Sequence, residues 1–196
     1  MRRFYGTPRA AGVWGLIAVA LLLASAVMVS LPTAAEGGSR IAAFYAAHGQ
    51  LIVIQQVVGV VAVAAFVLFA LSLRPNRWLR PTLWAFVALE LVTNIIPVVI
   101  VVAAGSPDSA QAWTRAEDVA DALFSIAIAL FVAAATLGEP LWVRIVGYAV
   151  AAVNVLRGVG DPFGLTALDA IAPLAFVAFM VVFCAKLLVR PLGPSA

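Results

Sequence analysis

Glu90 stands inside an apolar run, Leu83 to Ala104, that reads LWAFVALELVTNIIPVVIVVAA. If the run crosses a bilayer, Glu90 lies roughly 12 Å from its arginine-flanked end at ~1.5 Å per residue, near the midplane. A carboxylate there is costly unless it is protonated, paired or wet. Acids in that situation serve proton-linked transport or act as general acids on lipophilic substrates. Asn94 follows one turn later and Pro97 three residues after that, so the three share a face. That face is read as the inside of a bundle.

Other polar residues fall into two tiers by depth. Glu90, Asn94, Asn154, Gln55 and Gln56 lie near the midplane, and His48, Asp118, Asp121, Arg157, Asp161 and Asp169 lie nearer the outer surface. Helical spacing groups Asp118, Asp121 and Ser125 on one stripe, and Asn154, Arg157 and Asp161 on another. Side chains lean toward the start of their helix, so Arg157 is the expected basic partner of the acids. The expected binding set is Glu90, Asn94, Asn154, Arg157, Asp169, Asp121, Gln55, Gln56 and His48, lining a polar cavity open to the outside. Glu90 and Asp169 are the candidates for acid catalysis.

Each group also has a structural reading. Glu117, Asp118 and Asp121 suit the first turns of a helix, where the dipole favours negative charge. His48 suits a wetted boundary position, and the amides suit hydrogen bonding between helices.

The elements that must carry these residues are membrane spans. Hydrophobic residues make up 65% of the chain and charged ones 11%, with mean hydropathy +1.11, a composition that soluble domains do not reach. The net charge of +3 sits at helix ends rather than in a patch, so no nucleic-acid partner is expected. The single Cys184 excludes an internal disulfide, and the single histidine excludes bis-histidine haem. There is no HExxH, no Walker loop and no GxSxG, and neither a metal nor a cofactor is expected.

Six spans are predicted, at about 13–31, 46–73, 83–104, 116–137, 141–159 and 165–189. Residues Arg74 to Pro81 read as a short, basic, non-helical turn, and Gly105 to about Arg115 as a polar exit loop. Gly59, three residues beyond Gln56, suits a close approach by a neighbouring helix. Thr33-Ala34-Ala35 could pass for a signal-peptidase site. The preceding apolar run is longer than a signal core, so the first span is read as a retained anchor.

With the N-terminus inside, nine basic residues face the cytoplasm: Arg2, Arg3, Arg9, Arg74, Arg77, Arg80, Arg144, Lys186 and Arg190. Three face out: Arg40, Arg115 and Arg157. Trp14, Trp78, Trp84 and Trp142 fall at inner boundaries, and Tyr45, Trp113 and Phe163 at outer ones. The expected fold is therefore an all-α bundle of six transmembrane helices in a single domain, 1–196, with both termini cytoplasmic. Eleven arginines to one lysine, with abundant Ala and Val, suggest a high-GC bacterial genome and hence a bacterial plasma membrane. Ala88-Leu89-Glu90 before Pro97 matches Ala167-Leu168-Asp169 before Pro173. An inverted three-plus-three repeat would give that pattern, and so would chance in an Ala/Leu-rich chain.

The Arg-rich start, the Tyr45 and His48 entry to the second span, the Arg74 to Arg80 turn and the apolar final span ending in arginine resemble actinobacterial six-helix membrane proteins of the DUF4386-like kind. That resemblance is one of layout over most of the chain and implies no activity. Three functions fit the sequence. The first is binding or transport of a small lipophilic or cationic molecule, with proton linkage through the acids. The second is acid catalysis on an isoprenoid-like substrate. The small bacterial membrane-bound terpene cyclases are similar in size, but this chain is poor in aromatics for a carbocation cavity. The third is an accessory membrane protein without a ligand, whose partners beyond the lipid bilayer the sequence does not name.

Overall fold

Helix formation follows the apolar runs, and the ends are set by capping residues. The computed structural model describes residues 7–160, 163 and 167–189. It contains α1 (Pro8–Ala26), a 3₁₀ turn at Ala34–Glu36, α2 (Gly38–Leu71), α3 (Leu79–Ala103), α4 (Pro107–Thr136), α5 (Leu141–Gly160) and α6 (Leu168–Val189). All six helices are long and apolar enough to cross a membrane, and no strand occurs among the described residues. The chain is an all-α, multi-pass membrane protein. The expectations for Arg2, Arg3, Asp161, Arg190 and the start of the sixth span at 165 lie outside the described residues.

Four helix starts and the end of α1 differ from the sequence reading: α1 stops at Ala26 rather than near 31, and α2 begins at Gly38 rather than near 46. α1 begins at Pro8 rather than near 13, because the Thr7 hydroxyl accepts from Ala10 N at 3.1 Å and Pro8 suits a first helical position. α3 begins at Leu79, so Leu79, Arg80 and Pro81 are helix rather than turn. Proline in a first turn breaks no helical hydrogen bond. The Asn76 side chain accepts from Trp78 N and Leu79 N at 3.0 Å each, and it donates to the Ala134 carbonyl at 2.9 Å. This one side chain starts α3 and ties the α2–α3 turn to the end of α4.

The start of α4 matters most for function. α4 begins at Pro107, capped by the Ser106 hydroxyl, which accepts from Ser109 N at 3.2 Å, with Asp108 in the first turn. The expected polar loop up to Arg115 is therefore helical. Glu117, Asp118 and Asp121 lie well past the helix start, so the dipole does not account for them.

α2 packs on α1, α3 and α4; α4 packs on α3 and α5; α6 closes the bundle between α1 and α5. Gly12 near the start of α1 lies against Leu188 near the end of α6. Lys186 pairs with Glu139 in the α4–α5 turn, and its Nζ lies 5.8 Å from the Trp142 ring centre. The start of α1, the end of α6 and the α2–α3 and α4–α5 turns therefore share one face, called here the terminal face. The opposite, distal face holds the 3₁₀ turn. There Gly37, at φ 84°, reverses the chain into α2, and Gly38 meets the Pro107 carbonyl.

The terminal half is filled by phenylalanine. Phe66 stacks on Phe86 at 4.1 Å between centroids, with Phe131 tilted against Phe66 at 4.8 Å and Phe69 at 5.5 Å. Phe176, Phe179 and Phe183 of α6 extend the cluster. A separate apolar cluster around Ile41, Tyr45, Ile52, Ile96 and Ile100 fills the distal half. Tyr45 is buried in that cluster. Trp78, Trp84 and Trp142 are exposed.

Candidate functional site

Polar side chains inside the bundle form two separate sets rather than one cavity. The first is carried by α3. Asn94 Nδ2 donates to the Glu90 carbonyl at 2.7 Å and to Glu90 Oε1 at 3.2 Å, and Thr93 Oγ1 donates to the same carbonyl at 2.9 Å. Glu90 is 8% exposed and Asn94 6%, and Pro97 shares their buried face. The small cavity that Glu90 borders with Leu22, Ala62, Val63, Phe66 and Phe86 measures about 10 Å³, the lower limit for one water. No substrate fits there.

The second set joins α4, α5 and α6. The Arg157 guanidinium donates to Asp121 Oδ2, to Ser125 Oγ at 2.6 Å and to Asp169 Oδ1 at 3.3 Å. Gly158 makes this possible. A Cβ there would collide with the Ala122 carbonyl and the Ile126 side chain, so α5 runs close to α4 where Asp121 and Ser125 wait. The expectation that Arg157 serves the acidic set is met by Asp121 and Asp169. Its alternative pairing with Glu90 is absent: Arg157 pairs with Asp121 and Asp169. Glu90 stands at mid-helix in α3 and Asp169 in the first turn of α6, so the two acids are neither neighbours nor equivalents.

The remaining expected residues scatter. Asn154 is buried, and its Nδ2 donates to the Val150 carbonyl on its own helix at 2.9 Å. Gln55 closes the end of α1, donating to the carbonyls of Ser25 at 3.0 Å and Val29 at 2.9 Å. His48 is exposed, stacks on Phe44 and bonds its carbonyl at 3.0 Å. Asp118 accepts from Ala34 N at 3.1 Å, holding the 3₁₀ turn on α4 together with Gln111, which donates to the Ala34 carbonyl at 3.1 Å. Asp118 and Asp121 have DxxD spacing, but Asp118 holds the 3₁₀ turn and Asp121 holds Arg157. No group of three or more His, Cys, Asp or Glu suited to a metal occurs among the described residues.

Gln56 is different. It is 9% exposed and lies on the side of α2 that meets α3. It faces a groove of about 550 Å³ between α2 and α3. On α2 the groove is lined by Val53, Gln56, Val57, Val60 and Val61. On α3 it is lined by Asn94, Ile95, Val98, Val99, Val102 and Ala103. Val57, Ile95 and Val102 are exposed on its rim, so it opens on the outside of the bundle. The valine walls escape sequence reasoning because an apolar span presents valine on every face. The signal that was present is Gln56 with Gly59 one turn on, the pair that admits Asn94.

No family model, no curated protein and no solved structure matches the chain. What the site can do rests on its own residues.

Proposed function

We propose that this protein binds a small lipophilic molecule from within the bilayer, in the groove between α2 and α3. The observation that carries this reading is the groove itself, walled by valine, open along the flank of the bundle, with the side chains of Gln56 and Asn94 in its lining. The volume is that of a small-molecule site. β-branched walls hold one rotamer in a helix, so the groove is preformed. Glu90 supports the site from behind by fixing Asn94 rather than by touching the ligand.

Binding is favoured over acid catalysis. Glu90 and Asp169 share no cavity, and Asp169 is held by Arg157. It is also favoured over passage straight through the protein, because packed phenylalanines fill the terminal half. We place the terminal face in the cytoplasm of a bacterial plasma membrane, on the support of the arginine distribution. On that threading Glu90 is an acid inside the membrane. Kinship with the DUF4386-like proteins is proposed on layout alone.

The test is to purify wild type and Val98→Phe in lipid nanodiscs and analyse organic extracts by mass spectrometry. Val98 lines the groove without bonding to Gln56. A molecule that co-purifies with wild type and is lost from Val98→Phe, both proteins being folded, is the expected result. Identical extracts would refute the reading.

A further inference from the structure

The turn between α2 and α3 carries a feature that shares no residue with the groove. Arg74, Arg77 and Arg80 recur every three residues through it and all are exposed. Among the described residues no ion pair includes any of them. Glu139 of the adjoining α4–α5 turn is paired with Lys186. The turn is held in shape by Asn76, which accepts from Trp78 N and Leu79 N and donates to the Ala134 carbonyl. Arg77 Cζ lies 5.0 Å from the centre of the Trp78 ring, so the indole steadies the guanidinium while its N–H edge stays free. Beside the turn, a cleft of about 160 Å³ opens between the end of α2 and the start of α3. Its walls include Leu71, Leu73, Leu79 and Leu83, and Arg80 is the one polar side chain in the lining. We propose that this turn is a headgroup site for an anionic phospholipid of the adjoining leaflet, with the three arginines around the phosphate and the start of one acyl chain in the leucine cleft.

Each part of the site selects for that ligand. Guanidinium groups donate paired hydrogen bonds to phosphate oxygens, and three of them without a protein acid call for more than one negative charge nearby. A zwitterionic lipid brings its own cation and answers that call less well. A phosphate dissolved in water would use the arginines but leave the leucine walls wet. Trp78 and Trp84 are exposed on either side of Arg80 in the chain, and exposed indoles mark the headgroup level of a bilayer, where lipid is the abundant anion. An acidic segment of another protein is disfavoured by the same level, because it would have to displace lipid from apolar walls. A charge bias between the two sides of the membrane asks for arginine somewhere on this face; it does not ask for arginine in the lining of an apolar cleft.

The test is native mass spectrometry of the full chain released from detergent micelles, titrated with dioleoyl phosphatidylglycerol, dioleoyl phosphatidylcholine or inorganic phosphate. Four variants are compared with wild type, and thermal unfolding confirms that each folds. They are Arg80→Gln, the triple variant Arg74→Gln/Arg77→Gln/Arg80→Gln, the cleft-filling Leu71→Trp, and Arg9→Gln/Arg144→Gln, which removes charge elsewhere on the terminal face. Phosphatidylglycerol should bind wild type more tightly than phosphatidylcholine, and phosphate should not bind. Arg80→Gln should weaken phosphatidylglycerol about fivefold, and the triple variant on the order of a hundredfold, at ~1 kcal/mol for each arginine near an anionic surface. Leu71→Trp should weaken it with no change of charge. Arg9→Gln/Arg144→Gln should leave it close to wild type.

Equal affinity for the two lipids would overturn the proposal. So would an equal loss in Arg9→Gln/Arg144→Gln and the triple variant, since the attraction would then be spread over the face. Phosphate binding as tightly as phosphatidylglycerol, or no effect of Leu71→Trp, would detach the cleft from the arginines and leave no lipid site. Displacement of bound phosphatidylglycerol by an equimolar hexaglutamate peptide would assign the turn to an acidic protein segment instead.

Discussion

Asn94 of α3 lies directly against Gly59 of α2, so close that a Cβ at position 59 would overlap the Asn94 carboxamide oxygen. The contact fixes the distance between the two helices that form the groove. Gly59→Ala should cost about 1–3 kcal/mol, as overpacked sites do. Asn94→Ala in the same chain should recover part of that loss. Unfolding of the two single variants and the double variant measures the coupling, and simple additivity would mean that the contact is not made.

Arg157 binds three helices together through Asp121, Ser125 and Asp169. Removing it as Arg157→Met leaves two acids without their cation. Asp121 and Asp169 retain 39% and 41% of their side-chain exposure. The expected loss is therefore about 1–3 kcal/mol, below that of a fully buried pair. Asp121→Asn should weaken the bundle more than Asp169→Asn, because the Asp169 bond is long at 3.3 Å. Thermal unfolding in nanodiscs checks the order.

Glu90→Gln should behave as a quiet substitution. The new side chain can still accept from Asn94, so stability should change by less than ~1 kcal/mol. Glu90→Ala empties a buried site and should cost about 2–3 kcal/mol. Any molecule that co-purifies with wild type should also co-purify with Glu90→Gln, because Glu90 does not line the groove. Loss of binding in that variant would put the carboxylate in contact with the ligand.

The proposed threading is checked by fusion to alkaline phosphatase, which is active only outside the cytoplasm. Fusions after Gly38 and Ser109, on the distal face, should be active. A fusion after Arg77, on the terminal face, should be silent. Activity after Arg77 would reverse the protein in the membrane.

The six helices are legible in the sequence because hydropathy over some twenty residues is a strong signal. Helix ends are less so, and the start of α4 shows why. Ser106-Pro107-Asp108 carries a capping residue, a proline at the first position and an acid in the first turn, yet Gln111 and Arg115 make the stretch look like loop. That misplacement gave Glu117, Asp118 and Asp121 a dipole role they do not have. The shared face of Glu90, Asn94 and Pro97 follows from helical spacing and appears as such. Which neighbour each polar residue meets does not follow from spacing. Arg157 reaches Asp169 across a turn and Asp121 across a helix pair, whereas Gln55 and its neighbour Gln56 point to different helices. Only the packing of α2 between α1 and α3 separates the two glutamines, one donating to the end of α1 and one lining the groove.

The stacked rings around Phe66 and Phe86 also govern how the molecule can be loaded. To carry a solute from one side of the membrane to the other, several interlocked rings would have to change rotamer together. A molecule dissolved in the lipid needs no such event, because the α2–α3 groove is already open along the flank of the bundle. For a ligand held as proposed, exchange is therefore two-dimensional. Its rate is set by how the molecule partitions and diffuses in the leaflet, not by its concentration in the water on either side.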